Sequence, residues 1–478
     1  MTNRIDYGLS QLEYISKKKQ KIYIENLTLK NFYLWYDIFL NKNVNVKCSD
    51  YSSTFITRNK SENNQILKII SSGYFLGFKI FISTNKITYR FYLFDKPIYE
   101  RDIVPKENYK EMPYEEIFKV CSKIKNIFNK VLDKKYYDVP FIGGWKSAVL
   151  EDKENEIVNF YIPEIILYGS NNNYTLFTTL KEYYLNVLPI SRQYHENKYT
   201  KIEYVPEKNT YIKKIDNLIK KLKNNELSKI VISKKCTLKF PRNINTFRYA
   251  QYLLDNYYQE YAYTFSFSND EQWIGVSPEV LLKSDEVEAL TKPLAGTRKK
   301  SNIDSENYEI KKEFLNNKKE NIEHARAFQL MTNDIKDGNI GDVVVDANKE
   351  IIETPYVFHL KSEIRIILNK NNYGFEVLSK IYPPATVWGI PRKESGKLIK
   401  EVEGFNRGFF TGGFGFFNLN EQYDFALVIR TAMIKNGKDL NIFAGSGIVE
   451  NASSNDEWEE TSVKMSPFKN YLKVNDQV

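Results

Sequence analysis

Short segments that alternate apolar with polar or aromatic residues at a two-residue period recur through the first half of this chain: KIYIENLTL (21–29), YFLGFKIFIS (74–83), KITYRFYLF (86–94) and EIVNFYIPEIILY (156–168). Side chains two apart share one face of an extended backbone, so each segment reads as a half-buried strand of antiparallel sheet. EEIFKVCSKIKNIFNKVLDKK (115–135) and NTYIKKIDNLIKKLKNNE (209–226) instead space their apolar residues along one face of a helix. Strands and helices come in groups and not in strict βαβ alternation, which predicts an α+β fold.

No internal repeat, low-complexity linker or Gly/Pro/Ser-rich boundary interrupts the 478 residues, so one large compact unit is expected. The one candidate seam lies near residue 205, where the polar VPEKNT precedes a lysine-rich helical stretch. It divides the chain into an N-terminal part, 1–205, and a second part, 206–473, of a single intertwined domain. Cys48, Cys121 and Cys236 form no CxxC pair and no zinc-like spacing, which predicts a reducing compartment without a disulfide framework. The first residues, MTNRIDYGLSQLEYISKKKQ, lack the apolar stretch of a signal peptide, and no run approaches the roughly 18 apolar residues that cross a bilayer. A soluble, cytoplasmic protein with no membrane partner is therefore expected. The net charge of +9 comes from scattered lysines and not from a compact basic stripe with stacking aromatics, so no nucleic-acid partner is expected either.

Against that positive balance, EWEETSVKM (457–465) concentrates acid. On a helix, Glu457, Glu460 and Lys464, three and four apart, project from one face. The same pair spacing recurs at KKENIEHARAF, where Glu320 and Glu323 precede His324. A single ExxE is usually an ordinary charged helix face. Two such pairs on facing helices crowd four carboxylates together, a repulsion that a hard divalent cation such as Mg²⁺ relieves better than zinc or copper. PLAGTRKK (293–300) and FAGSGIVE (443–450) place glycines after apolar strand-like runs, where bare backbone N–H groups can hold a carboxylate or simply make a tight turn. YPPATVWGIPR (382–392) reads as a loop held by prolines, and RGFFTGGFGFF (407–417) as a glycine-punctuated strand.

Taken in order, SKIVISKK, GVSPEVLL, TKPLAGTRKK, KKENIEHA, VFHLKS, YPPATVWGIPR, RGFFTGGFGFF, ALVIRTAM and FAGSGIVENASSNDEWEETSVKM resemble the signature of the chorismate-utilising enzymes. That family holds anthranilate, aminodeoxychorismate, isochorismate and salicylate synthases, and PFIGGWKSAVL (140–150) resembles a stretch of its more variable N-terminal part. The resemblance implies one α+β domain with two large antiparallel sheets, with 206–473 as the chorismate-binding catalytic region. It also implies Mg²⁺ held by Glu320, Glu323, Glu457 and Glu460 near the ring carboxylate.

Member by member, the resemblance assigns roles. Lys229 stands where the water-adding enzymes carry their lysine base and ammonia-using anthranilate synthases a glutamine. Glu279 matches the general acid that protonates the departing C4 hydroxyl while water attacks C2. Ala295 replaces the nucleophilic lysine of common aminodeoxychorismate synthases, which argues against covalent capture, and no fused amidotransferase domain is present, so no such subunit is expected. Arg430 would pair with the pyruvyl carboxylate, Gly296, Thr297, Gly445 and Gly447 would line the substrate with backbone, Lys464 would contact the ring carboxylate, and His359 would bind or orient.

The product divides the evidence. Elimination of pyruvate from isochorismate needs only orientation of the bound ring. Thr386 matches salicylate and anthranilate synthases, whereas Phe410 stands where salicylate synthases carry a tyrosine, and Ile429 resembles the isochorismate type. The expectation is a salicylate synthase serving a siderophore pathway, then an isochorismate synthase, then an anthranilate synthase component I. A catalytically silent chorismate-binding module would have lost the base, the acid or the carboxylate pairs, and this chain keeps them all.

Overall fold

The computed structural model describes residues 23–28, 51–59, 65–105, 113–147, 154–170, 173–179, 198–268, 270–301, 303–354 and 356–472. Cys48 and the N-terminal stretch 1–22 lie outside the described residues. Two twelve-stranded sheets, antiparallel throughout, make up the frame. In the first, the order runs from Tyr23–Thr28 through Asn173–Thr178, Ile165–Ser170, Gln65–Ser72, Ser52–Asn59, Tyr261–Ser268, Glu271–Gly275, Thr431–Lys435 and Asp439–Ile448. Lys229–Lys239 and Lys201–Val205 follow, and the two-residue strand Gly389–Ile390 pairs with Lys229–Lys239 off that path. Both sheets take strands from either side of residue 205: Ser52–Asn59 pairs with Tyr261–Ser268, and Phe141–Trp145 pairs with Gly413–Phe417. The expected α+β fold of a single domain with two antiparallel sheets is what the chain adopts.

The aromatic residues of the alternating segments form the core between and beside the sheets. Phe265 stacks on Phe414 with ring centroids 4.0 Å apart, and Phe55 meets Phe414 edge-on at 5.8 Å, joining the two sheets. On the other side of the second sheet, the helix Pro113–Val131 buries Ile117, Phe118, Ile124 and Phe128, the stripe its sequence spacing predicts. Phe118 meets the fully buried Trp145 edge-on at 5.0 Å. Across the strand pair from Trp145 sits Gly413, where a Cβ would fall 2.2 Å from the indole ring. The glycine punctuation of RGFFTGGFGFF thus makes room for a tryptophan.

The structure refines several local expectations. EIVNFYIPEIILY breaks into two strands, Asn155–Ile162 and Ile165–Ser170. The glycines of PLAGTR and FAGSG lie within strands, Leu294–Lys299 and Asp439–Ile448, and not at turns between them. Only Gly413–Phe417 of RGFFTGGFGFF is extended; the residues before it turn. Both ExxE pairs do fall on helices. Lys318–Asp337 begins at Asn317, whose side-chain oxygen accepts the backbone N–H of Glu320 at 3.2 Å, a cap that sets Glu320 in the first turn. Ser454–Tyr471 packs along Asp439–Ile448, and both helices reach Leu294–Lys299.

Removing the indole tests this packing. Trp145→Ala should lower the unfolding free energy by about 3–5 kcal/mol in a denaturant titration, and a loss below about 1 kcal/mol would show that the aromatic wedge is dispensable.

Candidate active site

A cavity opens where strands of both sheets meet the 382–392 loop and the Ser454–Tyr471 helix, and among the described residues those that line it run from Val231 to Lys464. Two of its walls are backbone. Gly445 and Gly447 expose one edge of the Asp439–Ile448 strand, and Gly296, at φ +86°, exposes the other wall in a conformation that favours glycine. Gly447 also leaves room for a neighbour: a Cβ there would lie 2.0 Å from Glu323 Oε1, so the glutamate side chain would have to move.

Lys229 opens the strand Lys229–Lys239 and is fully buried. Its Nζ stands 3.3 Å from Glu323 Oε1 and makes no hydrogen bond by the usual geometric criteria. Burial pushes its pKa below the ordinary lysine value, while the Glu323 carboxylate pulls the other way. Glu279, in the turn before Val280–Ser284, lines the cavity itself, and the Thr386 hydroxyl donates to its Oε1 at 2.7 Å. Burial raises the Glu279 carboxyl to about 8, against the opposing hydrogen bond from Thr386. A carboxyl biased towards its acid form therefore lines the cavity, and an amine biased towards its neutral form lies behind the wall beside Glu323.

His359 pairs Nδ1 with Gly296 O at 3.1 Å and Thr297 Oγ1 at 3.2 Å, while Nε2 faces Arg430 Nη2 at 2.7 Å. A guanidinium only donates, so Nε2 accepts and the proton sits on Nδ1. Burial first, then the Arg430 and Lys464 charges, hold this imidazole well below its usual pKa, neutral. Arg430 itself sits at φ +49°, a strained backbone that aims its side chain into the cavity. Lys464 donates to Gly445 O at 3.0 Å and to Glu460 Oε1 at 2.7 Å.

Three of the four glutamates, from both helices, surround an ammonium group, and the fourth, Glu323, pairs with Lys229. Lys319 Nζ lies 2.9 Å from Glu457 Oε1, 3.3 Å from Glu320 Oε1 and 3.4 Å from Glu460 Oε2. As they stand, no three His, Cys, Asp or Glu side chains among the described residues are gathered closely enough to hold a metal ion. The expected metal cluster is thus present in its residues but spread around Lys319. The donors still fit a hard cation: all are carboxylate oxygens, and Glu457 Oε2 is buried with no hydrogen-bond partner. Burial raises the Glu457 and Glu320 carboxyls, with Lys319 opposing, whereas Lys464 and Lys319 overcome burial and keep Glu460 low. Glu320 Oε2 also accepts the Thr297 N–H at 2.8 Å, tying the cluster to the cavity wall.

Of the residues singled out in the sequence, Glu279, Gly296, Thr297, Glu323, His359, Thr386, Phe410, Arg430, Gly445, Gly447 and Lys464 line the cavity. Lys229 lies behind the wall against Glu323, and Glu320, Glu457 and Glu460 lie at the ammonium. Three residues went unnoticed. Lys319 precedes Glu320 and looks like one lysine among many. Arg407 is 4% exposed and donates to Val231 O at 3.0 Å, Val387 O at 2.8 Å and Thr411 Oγ1 at 3.2 Å. Its partner Glu403 accepts from it and from the Ser233 N–H at 2.7 Å. The only signal for that pair is its i, i+4 spacing in EGFNR.

Comparison with known proteins follows from this geometry. The family model described as chorismate binding enzyme matches residues 149–470. The chain is 29% identical over 265 residues to anthranilate synthase component 1 of Aquifex aeolicus, covering 54% of this chain and 53% of that protein. It is 28% identical over 272 residues to the chloroplastic isochorismate synthase 2 of Arabidopsis thaliana, covering 56% and 48%. The chain thus spans about half the length of the curated relatives it matches. The menaquinone-specific isochorismate synthase MenF of Escherichia coli superposes with a TM-score of 0.71 over 98% of this chain and 100% of that one, at 16% identity, a likeness of fold.

The hydrogen bond from Thr386 opposes the effect of burial on Glu279. In a carboxyl-carbon NMR titration, Glu279 should titrate near 8, and Thr386→Val should move that midpoint upward. A midpoint in the variant that is unchanged or lower would show that the hydroxyl does not hold the carboxylate form.

Proposed function

The chain belongs to the chorismate binding enzyme family, and from that premise we propose that it adds water to chorismate at C2 and expels the C4 hydroxyl, giving isochorismate. The observation that supports this reading is a buried acid with raised pKa, Glu279, lining the cavity, and a buried amine with lowered pKa, Lys229, behind the wall beside the lining residue Glu323. Neutral Lys229 takes a proton from the attacking water. Glu279 gives its proton to the departing hydroxyl, a leaving group too poor to go as hydroxide. The water's oxygen bonds to C2, the ring double bonds shift, and the C4 oxygen leaves as water.

The remaining residues bind and orient. Arg430, a fixed guanidinium fork, suits the pyruvyl carboxylate, and Lys464 together with the bare N–H edges at Gly296, Gly445 and Gly447 suits the ring carboxylate. Neutral His359 fixes the Arg430 fork by accepting from Nη2. Glu320, Glu323, Glu457 and Glu460 would hold Mg²⁺, whose charge, when bound, favours the ring carboxylate and relieves the repulsion among them. Loss of pyruvate to give salicylate is the second reading. It is favoured by Thr386 against Glu279 and opposed by Phe410, which presents a ring without a hydroxyl to the cavity. A siderophore role and a cytoplasmic location belong to the same reading; among the described residues no helix is long and apolar enough to cross a membrane.

Purified protein with chorismate and Mg²⁺ should form isochorismate, and salicylate fluorescence in the same cuvette decides the second reading. Product formed only when ammonia is supplied would replace both with an anthranilate synthase. Lys229→Ala should lower kcat at least about 100-fold. Normal turnover in that variant would remove the lysine from the mechanism. The acid limb also has a fixed sign: Glu279 is protonated below about 8 and loses its proton above, so kcat/KM should fall as pH rises through that value. Excess chelator, or the double variant Glu323→Gln, Glu460→Gln, should abolish activity.

A further inference from the structure

The cage of glutamates already contains a cation supplied by the chain. Lys319 Nζ makes ion pairs with Glu457, Glu320 and Glu460 within 2.9–3.4 Å, and its side chain retains 16% of its exposure. The carboxylates that receive it keep less: 1% for Glu457, 4% for Glu320 and 14% for Glu460. Lys319 therefore reaches into the cage from its more open side. It belongs to the first turn of the Lys318–Asp337 helix, one residue before Glu320. It shares a helix face with Glu323, four residues on, but not with Glu320, and its four-carbon stem brings the charge across to Glu320 and to the other helix.

Two details show that the ammonium meets the need of the cage only in part. It contacts one oxygen of Glu457 and leaves the other, Oε2, buried without a hydrogen-bond partner. Glu323, the fourth carboxylate, pairs with Lys229 instead. A single positive charge among three carboxylates, on a long stem that keeps some exposure, is a stand-in that a divalent ion can replace.

Resting on the reading that these glutamates serve Mg²⁺, we infer that Lys319 sets the affinity and selectivity of the cage: its ammonium occupies the cation's place in the metal-free protein and must withdraw when a divalent ion enters. Lys319 is then an internal competitor. It keeps the carboxylate cluster folded without metal, and it weakens metal binding by the work of displacing a well-placed charge. Monovalent ions, which carry no more charge than the ammonium, gain nothing by the exchange and are excluded.

The test uses the full chain and Mn²⁺ as the probe, with free Mn²⁺ followed by electron paramagnetic resonance and no substrate present. Lys319→Met keeps the stem length and removes the charge; it should bind Mn²⁺ at least about tenfold more tightly than the parent, while Lys319→Arg, which keeps the charge, should not. Without metal, Lys319→Met should melt at a lower temperature than the parent, and saturating Mg²⁺ should restore it. Competitive acetylation of the unmodified protein supplies a reading that needs no variant: Mg²⁺ should raise the reactivity of Lys319 relative to exposed lysines. Equal or weaker Mn²⁺ binding by Lys319→Met, or a Lys319 equally protected with and without Mg²⁺, overturns the inference and leaves the metal site standing. Absence of Mn²⁺ binding by both parent and variant overturns the inference and the metal reading together.

Discussion

Like charges cannot be buried together without a counter-charge, and this protein brings four carboxylates from two helices to one place. Everything near the cavity is arranged around that constraint. Lys319 stands among three of the four, Lys229 is paired with Glu323, and Lys464 holds Glu460. Such pairs oppose the effect of burial on Lys229, Glu320 and Glu457 and outweigh it on Glu460. The acid cluster in a chain of net charge +9 is thus not an anomaly of composition: its compensating cations are themselves buried beside it.

The same constraint reaches the substrate wall. Glu323 packs closely on the Asp439–Ile448 strand at Gly447, where it would have to shift to admit a Cβ, and Glu320 accepts the N–H of Thr297 on the opposite wall. Backbone left bare for this reason is also backbone available to a carboxylate ligand. Behind the wall, Arg407 gathers three stretches that are far apart in sequence: the strand that starts at Lys229, the loop that carries Thr386 and the turn that carries Phe410. Apart from its pair with Glu403, its bonds go to two main-chain carbonyls and a hydroxyl of residues that line the cavity, so the guanidinium ties these stretches together without lining the cavity itself.

The two parts of the chain contribute differently. Among the described residues none before Val231 lines the cavity, yet strands from before residue 205 sit inside both sheets, where Ser52–Asn59 and Phe141–Trp145 pair with strands of the second part. The N-terminal part therefore acts on the site through the core, by holding the sheets that carry the lining residues. Its sequence is free to vary as long as aromatic volume between the sheets is kept.

What could be read from the sequence was whatever local periodicity and chain order express. Two-residue alternation marked the strands, helical spacing placed Glu320 with Glu323 and Glu457 with Glu460, and an ordered series of motifs named the family; each needs only neighbours in sequence. Distances between segments remained for the tertiary structure to decide. It put an ammonium at the centre of the glutamates, where spacing alone suggested only a metal. It set the glycines of PLAGTR and FAGSG within strands and not at turns, and it revealed Arg407 and Glu403 as a clasp. Long lysine and arginine stems act across gaps that no sequence window spans, and burial, which alone moves Lys229 and Glu279 towards the protonation states they need, exists only once both sheets have closed.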